Sequence, residues 1–116
     1  MNKNRTVPYG YQIINGEITE KKDEADIVRW IFNRYEKGAS YKKIADILTA
    51  KEVFYLENKN TWNKNNIKRI LENRKYSGRE DTTALITEEN FDAVQNIIAG
   101  KIKRLHRQVG GNKGIR

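Results

Sequence analysis

The side chains best suited to chemistry lie in a short segment near the middle of the chain, between Asn63 and Arg79. Projected at about 100° per residue, this segment places apolar residues on one side of a helix and polar residues on the other. The apolar side holds Ile67, Ile70 and Leu71, and the polar side holds Asn65, Lys68, Arg69 and Glu72. An asparagine amide can bond the N6/N7 edge of adenine, and an arginine can bond the O6/N7 edge of guanine. The pattern is typical either of a helix that binds base edges or of an ordinary solvated helix face.

Glu72 and the surrounding cations leave both interpretations open. Glu72 follows Arg69 by three residues, so it can position the guanidinium, accept from cytosine N4 or form a plain i,i+3 salt bridge. Six more cations lie near these side chains or in the C-terminal tail. They are Lys64, Arg74, Lys75, Arg79, Lys103 and Arg104. Such side chains can bind phosphate without reading sequence. The net charge of +8 and the pI of about 9.7 favour a polyanionic partner, nucleic acid before an anionic membrane surface.

The residue types that most catalytic and metal sites need are scarce. The chain has no cysteine and one histidine, His106, which lies in the polar tail. We therefore expect no disulfide, no metal site and no cofactor. Ser40 and Ser77 are the only serines, and a helix cap and a turn explain them. Because the sequence also lacks a Gly-rich phosphate loop and a nucleophile elbow, it predicts no catalytic residue.

Local signals assign the elements that must position these side chains. The pair Asn15-Gly16 between two β-prone runs predicts a hairpin with strands near 9–14 and 17–20. Four helices are expected to follow, capped in order by Asp23, Ser40, Asn63 and Thr87, with the third helix over residues 64–74. Their apolar stripes are Ala25, Val28, Ile31, Phe32 and Tyr35; Ile44, Ala45, Ile47 and Leu48; Ile67, Ile70 and Leu71; and Phe91, Val94, Ile97 and Ile98.

Glycines and aromatic residues complete the expected architecture. Gly38 should end the first helix, and Gly100 should stop or weaken the fourth. The connection over 51–61 should pack its apolar cluster, Val53, Phe54, Tyr55 and Leu56, against the core. We expect Tyr9, Tyr11, Trp62 and Tyr76 to pack in the core or hairpin and not to stack on bases. The sequence thus predicts a mainly α fold, a small helical bundle with a helix-turn-helix-like core and an N-terminal β-hairpin. The expected domain covers residues 1–100, and residues 101–116 form a basic flexible tail.

Six short motifs occur in an order that is typical of one protein family. They are Val7-Pro8-Tyr9-Gly10-Tyr11; Glu24-Ala25 with Ile27-Val28-Arg29 and Ile31-Phe32; Tyr35 followed by Gly38; Ser40 with Ile44-Ala45 and Leu48; Thr61-Trp62 with Ile67, Ile70-Leu71 and Asn73; and Tyr76-Ser77-Gly78-Arg79. Across residues 7–99 the chain resembles the recombinase (DNA-binding) domain of the large serine recombinases, in the resolvase–invertase family.

The resemblance implies that the third helix lies in a DNA major groove and that flanking segments follow the backbone and the minor groove. It implies sequence-specific binding of double-stranded DNA at a phage or transposon attachment site, with a catalytic recombinase domain or a full-length recombinase as a further partner. The catalytic serine domain and the cysteine-bearing zinc ribbon of the family have no counterpart in this sequence, so we expect no enzyme activity from the chain. The sequence also departs from the family at Asn63, at Arg74 and in the short stretch between Arg79 and Thr87.

Two other functions are compatible with the same residues. One is a free-standing DNA-binding regulator that binds an operator, and the other is a basic protein-interaction module with an acidic partner. The sequence has no apolar run long enough to span a bilayer, and no apolar stretch follows its basic N-terminus as in a signal peptide. We therefore expect a cytoplasmic, nucleoid-associated protein of a bacterium or phage that has no membrane partner.

Overall fold

Four helices and one hairpin make up the described part of the chain. The computed structural model describes residues 7–55, 61–78 and 82–114, with side chains as far as Lys101. In these ranges the elements are β1 (Tyr11–Ile14), β2 (Glu17–Glu20), α1 (Lys22–Glu36), α2 (Tyr41–Ala50), α3 (Lys64–Leu71), a 3-10 turn (Arg74–Ser77) and α4 (Glu88–Gly114). Helices α2 and α3 pack on each other, and both contact α1. The predicted fold class, a mainly α bundle with an N-terminal hairpin, is confirmed.

The hairpin is closed by the two-residue turn that its sequence predicts. Asn15 has a φ of 52° and Gly16 a φ of 80°, the left-handed values that a type I′ turn requires. The antiparallel register pairs Tyr11 with Glu20, Gln12 with Thr19, Ile13 with Ile18 and Ile14 with Glu17. Strand β1 begins later than predicted because Gly10, with a φ of 105°, turns the chain just before it. Two strands are marginal alone, and the Gly10 N–H anchors them to α1 by donating to Glu24 Oε1 at 2.9 Å.

Helix α1 buries its predicted stripe but begins earlier than predicted. Its N-cap is Lys21, whose side chain makes no capping bond, and Asp23 lies within the first turn. The prediction that Asp23 caps α1 is therefore wrong. The reason is tertiary: the Lys21 N–H donates to Gly10 O at 2.9 Å, so the hairpin fixes the backbone where the helix starts. The stripe Ala25, Val28, Ile31, Phe32 and Tyr35 is buried, and Gly38 ends the helix region with a φ of 107°.

Side-chain caps begin α2 and α3 as predicted. Ser40 Oγ accepts from the Lys43 N–H at 3.1 Å. Asn63 and Asn66 each accept from the backbone N–H of the other at 2.9 Å, which forms a reciprocal capping box. Helix α3 ends at Leu71, earlier than the predicted residue 74, because Asn73 caps the separate 3-10 turn. The buried stripes are Ile44, Ala45 and Leu48 in α2 and Ile67, Ile70 and Leu71 in α3, while Ile47 is only partly buried.

Aromatic side chains fasten the connection between α2 and α3. The Trp62 indole N–H donates to Val53 O at 2.9 Å, and Tyr9 stacks on Tyr55 with ring centroids 5.7 Å apart. Val53 and Tyr55 pack against the core as predicted, whereas the Phe54 side chain is 54% exposed and its predicted packing is wrong. Leu56 lies outside the described residues. The predicted burial of Tyr9, Tyr11, Trp62 and Tyr76 is confirmed.

Helix α4 closes the core and then continues beyond it. Thr87 Oγ1 accepts from the Asn90 N–H at 3.0 Å, which confirms the predicted cap. Phe91, Val94 and Ile98 are buried, and Ile97 is partly buried. The helix does not stop at Gly100 but runs to Gly114, because an interior glycine costs only about 1 kcal/mol relative to alanine and need not break the backbone bonds. The division of the chain at residue 100 and the flexibility of the tail stay predictions.

Two kinds of feature are absent from the described residues. No described helix is long and apolar enough to cross a membrane. Among the same residues, histidine, cysteine, aspartate and glutamate side chains form no group of three suited to a metal ion. The most pronounced feature of the described surface is its distribution of charge.

Candidate nucleic-acid interface

Helix α3 presents the two opposite sides that its sequence predicts. Ile67, Ile70 and Leu71 lie in the core, each with less than a tenth of its surface exposed. The side chains predicted to bind DNA lie outside the core, at the surface: Lys64, Asn65, Lys68, Arg69 and Glu72. The structure therefore brings these five predicted residues together on one short surface element. A helix that is anchored along one side and polar along the other can enter a groove without losing its packing.

The ion pair at the end of this helix joins Glu72 to Lys68, whereas the sequence also allowed a pair of Glu72 with Arg69. Glu72 Oε1 lies 3.9 Å from Lys68 Nζ, four residues away, and no ion pair joins Glu72 to Arg69. Among the described residues Arg69 has no carboxylate partner. Its side chain lies instead at the edge of a cleft of about 300 Å³ that Pro8, Tyr55 and Asn73 also line. The Arg69 guanidinium is therefore exposed and open to an external acceptor.

The beginning of α3 is held in place by contacts that reach back to α2. The Trp62 N–H donates to Thr49 Oγ1 at 2.8 Å, and the Asn63–Asn66 capping box follows directly. Behind this junction the Trp62 ring lies edge-on to Tyr9, with centroids 5.4 Å apart. These contacts fix the first turn of α3, which carries Asn65, on a buried aromatic cluster.

The 3-10 turn after α3 is bound to the hairpin and to the loop before α4. Lys75 O accepts from the Tyr11 hydroxyl at 3.0 Å and from the Thr82 hydroxyl at 2.9 Å. Burial raises the pKa of the Tyr11 hydroxyl above its ordinary value, because the charged form would lose hydration. Ser77 Oγ donates to Arg74 O at 2.8 Å, so the Ser77 hydroxyl stabilises the 3-10 turn. The Lys75 side chain is exposed on the same part of the surface.

Arg74 is less available to bind an external partner than the other predicted cations, because its guanidinium already has partners within the protein. Its guanidinium carbon lies 4.6 Å from the centroid of the Phe91 ring, and Nη1 lies 3.8 Å from Asp92 Oδ1. Nevertheless its side chain is 49% exposed, so other N–H groups can face an additional partner. Arg79 lies outside the described residues, and Lys103 and Arg104 lie on α4 beyond the described side chains. The predicted roles of these three stay predictions.

The charge of the chain is unevenly divided along its elements. Residues 37–78, which include α2, α3 and the 3-10 turn, contain ten lysines and arginines and four acidic residues, a net charge of +6. Residues 17–36, which include β2 and α1, contain four basic and six acidic residues, a net charge of −2. Many of those acidic groups are paired locally, as in the contact of Lys22 Nζ with Asp26 Oδ2 at 2.7 Å. The positive potential is therefore concentrated on the elements that carry and support α3.

Sequence reasoning missed the polar contacts that join α3 to α4. The side-chain amide of Gln95 donates to Leu71 O at 2.6 Å, at the last residue of α3. Gln95 lies on α4 between buried Val94 and exposed Asn96, a position that periodicity assigns to a helix flank. No local signal in the sequence marks such a contact, because its two partners are 24 residues apart.

Comparison with known proteins agrees with this architecture. The family model named Recombinase matches residues 22–101. Two solved structures are similar: a crystal structure of an LSR–DNA complex (TM-score 0.64, 21% identity, 84% of this chain and 33% of that one), and a structure from work on the sequence requirements of the Listeria innocua prophage attP site (TM-score 0.66, 20% identity, 85% and 45%). This chain thus spans less than half the length of either. The fold is shared with both, and the family model, which matches more than half of the chain, shows that the chain belongs to the Recombinase family.

Proposed function

We propose that the protein binds double-stranded DNA sequence-specifically, as the non-catalytic recombinase domain of a large serine site-specific recombinase. The observation that carries the proposal is α3, with its buried stripe on one side and exposed Asn65, Lys68 and Arg69 on the other. The similarity in fold to a chain from an LSR–DNA complex supports it. The concentration of positive charge on residues 37–78 supports it as well, since DNA is a dense polyanion.

The roles of the side chains follow from their chemistry and their place on α3. Asn65 and Arg69 are the base readers, because both are exposed and both side chains can make two bonds to one base edge. Lys64 and Lys68 bind phosphate, and Glu72 forms a weak ion pair with the Lys68 ammonium group at 3.9 Å. Lys75, Arg79, Lys103 and Arg104 extend the backbone contacts on both sides, and Arg74 contributes through its remaining N–H groups.

The chemistry of strand cleavage belongs to another domain in this proposal. Ser40 caps α2, and Ser77 is 8% exposed with its hydroxyl bonded inside the 3-10 turn. Neither serine is placed as a nucleophile. The partners are therefore an attachment site, or an operator if the chain acts as a regulator, together with a catalytic recombinase domain or a full-length recombinase. The site of action is the cytoplasmic nucleoid of a bacterium or phage-infected cell.

The test is selection of bound duplexes from a random double-stranded DNA library, followed by affinity measurements on the selected duplex and on a scrambled one. Arg69→Ala should weaken binding to the selected duplex by about 1–3 kcal/mol and relax selectivity at one base pair. Lys64→Ala should weaken both duplexes alike, because a phosphate contact carries no sequence information. The matched control is Arg34→Ala, which removes the same charge from an exposed position on α1 and should leave the ratio of the two affinities unchanged.

Two outcomes would overturn the proposal. If no sequence is enriched and binding is absent at low salt, the basic protein-interaction function is favoured in its place. If a sequence is enriched but Arg69→Ala and Asn65→Ala both preserve the affinity ratio, α3 is not the reading element. Circular dichroism of each variant must first show a folded protein, so that lost binding is not lost structure.

A further inference from the structure

A side chain of α4 donates a hydrogen bond to the carbonyl group at the C-terminal end of α3, which has no partner within α3 itself. The last four carbonyl groups of an α-helix have no partner within the helix. Leu71 closes α3, and its carbonyl oxygen accepts from Gln95 Nε2 at 2.6 Å. The Leu71 side chain is completely buried, and the bond is partly shielded from water. Gln95 therefore sets where α3 ends relative to α4.

A second contact joins the same two regions one step further along the chain. The Arg74 guanidinium lies over the Phe91 ring at 4.6 Å, and the ring itself is buried. An exposed ion pair such as Arg74–Asp92, at 3.8 Å, contributes little by itself, whereas a cation above an aromatic face has a defined geometry. Gln95 and Arg74 thus attach the end of α3 and the 3-10 turn that follows it to one face of α4.

We infer that Gln95 and Arg74 are positioning residues for base recognition, acting through α3 without bonding to bases themselves. The inference rests on the proposed function. Discrimination between bases needs donors and acceptors placed accurately against a base edge, and Arg69 is only two residues from Leu71. A small rotation of α3 about its capped N-terminus displaces Arg69 more than Asn65, because Arg69 lies further from the cap. Recognition by Arg69 therefore depends on how α4 holds the far end of the helix.

The experiment compares three properties of each variant: melting temperature, the ratio of affinities for the selected and scrambled duplexes, and the dependence of scrambled-duplex binding on salt. Gln95→Ala removes the donor to Leu71 O, and Gln95→Met removes it while keeping the length of the side chain, in case the alanine variant does not fold. Asn96→Ala, at the exposed neighbouring position on α4, is the matched control. Arg74→Gln removes the cation over Phe91, and Asp92→Asn removes the ion pair but keeps that cation.

The expected result is a loss of discrimination in both variants, and in Gln95→Ala this loss should come without a loss of electrostatic binding. One full bidentate contact discriminates by roughly 5- to 150-fold, so partial displacement of Arg69 should lower the affinity ratio by about threefold or more in Gln95→Ala and Arg74→Gln. The salt dependence should stay that of the wild-type chain in Gln95→Ala. Arg74→Gln also removes a proposed phosphate contact, so its log–log salt slope should fall by about 0.9 in addition to the fall in the affinity ratio. Asn96→Ala and Asp92→Asn should preserve the ratio.

A purely structural role gives a different result. Lower melting temperatures with an unchanged affinity ratio in the folded Gln95 variants would overturn the inference. For Arg74, a slope in the log–log salt plot reduced by about 0.9 with an unchanged ratio would show a phosphate contact and overturn its assignment as a positioning residue. If the wild-type chain itself shows no preference between duplexes, the proposed function fails and the inference fails with it. If the wild-type chain discriminates and all variants do so equally, only the inference fails.

Discussion

Leu71→Ala should strongly destabilise the protein, because Leu71 joins α3 to the core. Its side chain is 0% exposed, and its stripe on α3 packs among the other helices. The substitution removes three carbon groups, whose transfer from water contributes about 0.8 kcal/mol each. The remaining cavity adds to this, so the cost should be roughly 2–5 kcal/mol. Leu48→Ala, at the facing stripe of α2 where exposure is 1%, should cost a similar amount.

Urea unfolding followed by circular dichroism measures this cost, and thermal unfolding gives an independent check. The matched control is Ile14→Ala in the hairpin, which removes the same number of carbon groups from a side chain that is already 50% exposed. That variant should remain within about 1 kcal/mol of the wild type, as surface substitutions usually do. Equal stability of the Leu71, Leu48 and Ile14 variants would refute the assignment of α2 and α3 as the packed pair of the core.

Two further predictions concern the tail and the tyrosines. Removing residues 102–116 should weaken binding to every duplex, while the preference for the selected sequence survives. The log–log salt slope should fall by about 0.9 for each phosphate group that the shortened chain no longer binds. A truncation that removed only the preference would show that the tail reads the sequence. Burial raises the pKa of Tyr41, with Tyr35 and Glu72 adding to the shift, and burial likewise raises the pKa of Tyr11. The unfolded chain therefore releases these protons near pH 10, before the folded one does. The contribution of the two tyrosines to the free energy of unfolding should thus be constant across neutral pH and fall above about pH 10. Tyr41→Phe should make that fall less steep, and an identical alkaline profile for the variant and the wild type would contradict the assignment.

The sequence could predict those parts of the fold that local chemistry determines. The Asn15-Gly16 turn follows from the backbone conformation that those residues tolerate, and the caps at Ser40 and Asn63 follow from side chains that bond nearby N–H groups. The opposed sides of α3 follow from helical periodicity. For the same reason the joint exposure of the five predicted residues on or beside α3 could be predicted, whereas their role in binding DNA stays a prediction.

The parts that failed depend on partners distant in the sequence. Asp23 is an ordinary helix cap by type, but the bond of the Lys21 N–H to the hairpin moves the start of α1. Phe54 has the character of a core residue, yet its neighbours Val53 and Tyr55 take the packed positions. The contact of the Arg74 guanidinium with the Phe91 ring likewise has no local signal, whereas the proposed role of Arg74 in binding DNA stays a prediction.

Several contacts of this small domain could not be predicted from the local sequence, because they join a side chain to a backbone carbonyl group distant along the chain. These carbonyl groups lie in loops, in the 3-10 turn and at the end of α3. The pairs are Tyr9 with Phe54, Tyr11 with Lys75, Arg29 with Leu85, Trp62 with Val53 and Gln95 with Leu71. A fully buried carbonyl that loses its partner costs about 1–3 kcal/mol. These bonds are partly buried, so each costs less to lose but still favours the observed arrangement of the segments it joins. Only 37% of the residues are hydrophobic, and apolar packing alone leaves the loops around α3 weakly determined. Long polar and aromatic side chains therefore stabilise the loops as the apolar stripes stabilise the helices. Trp62 and Gln95 do so at the two ends of α3, where the proposed function requires the most accurate placement.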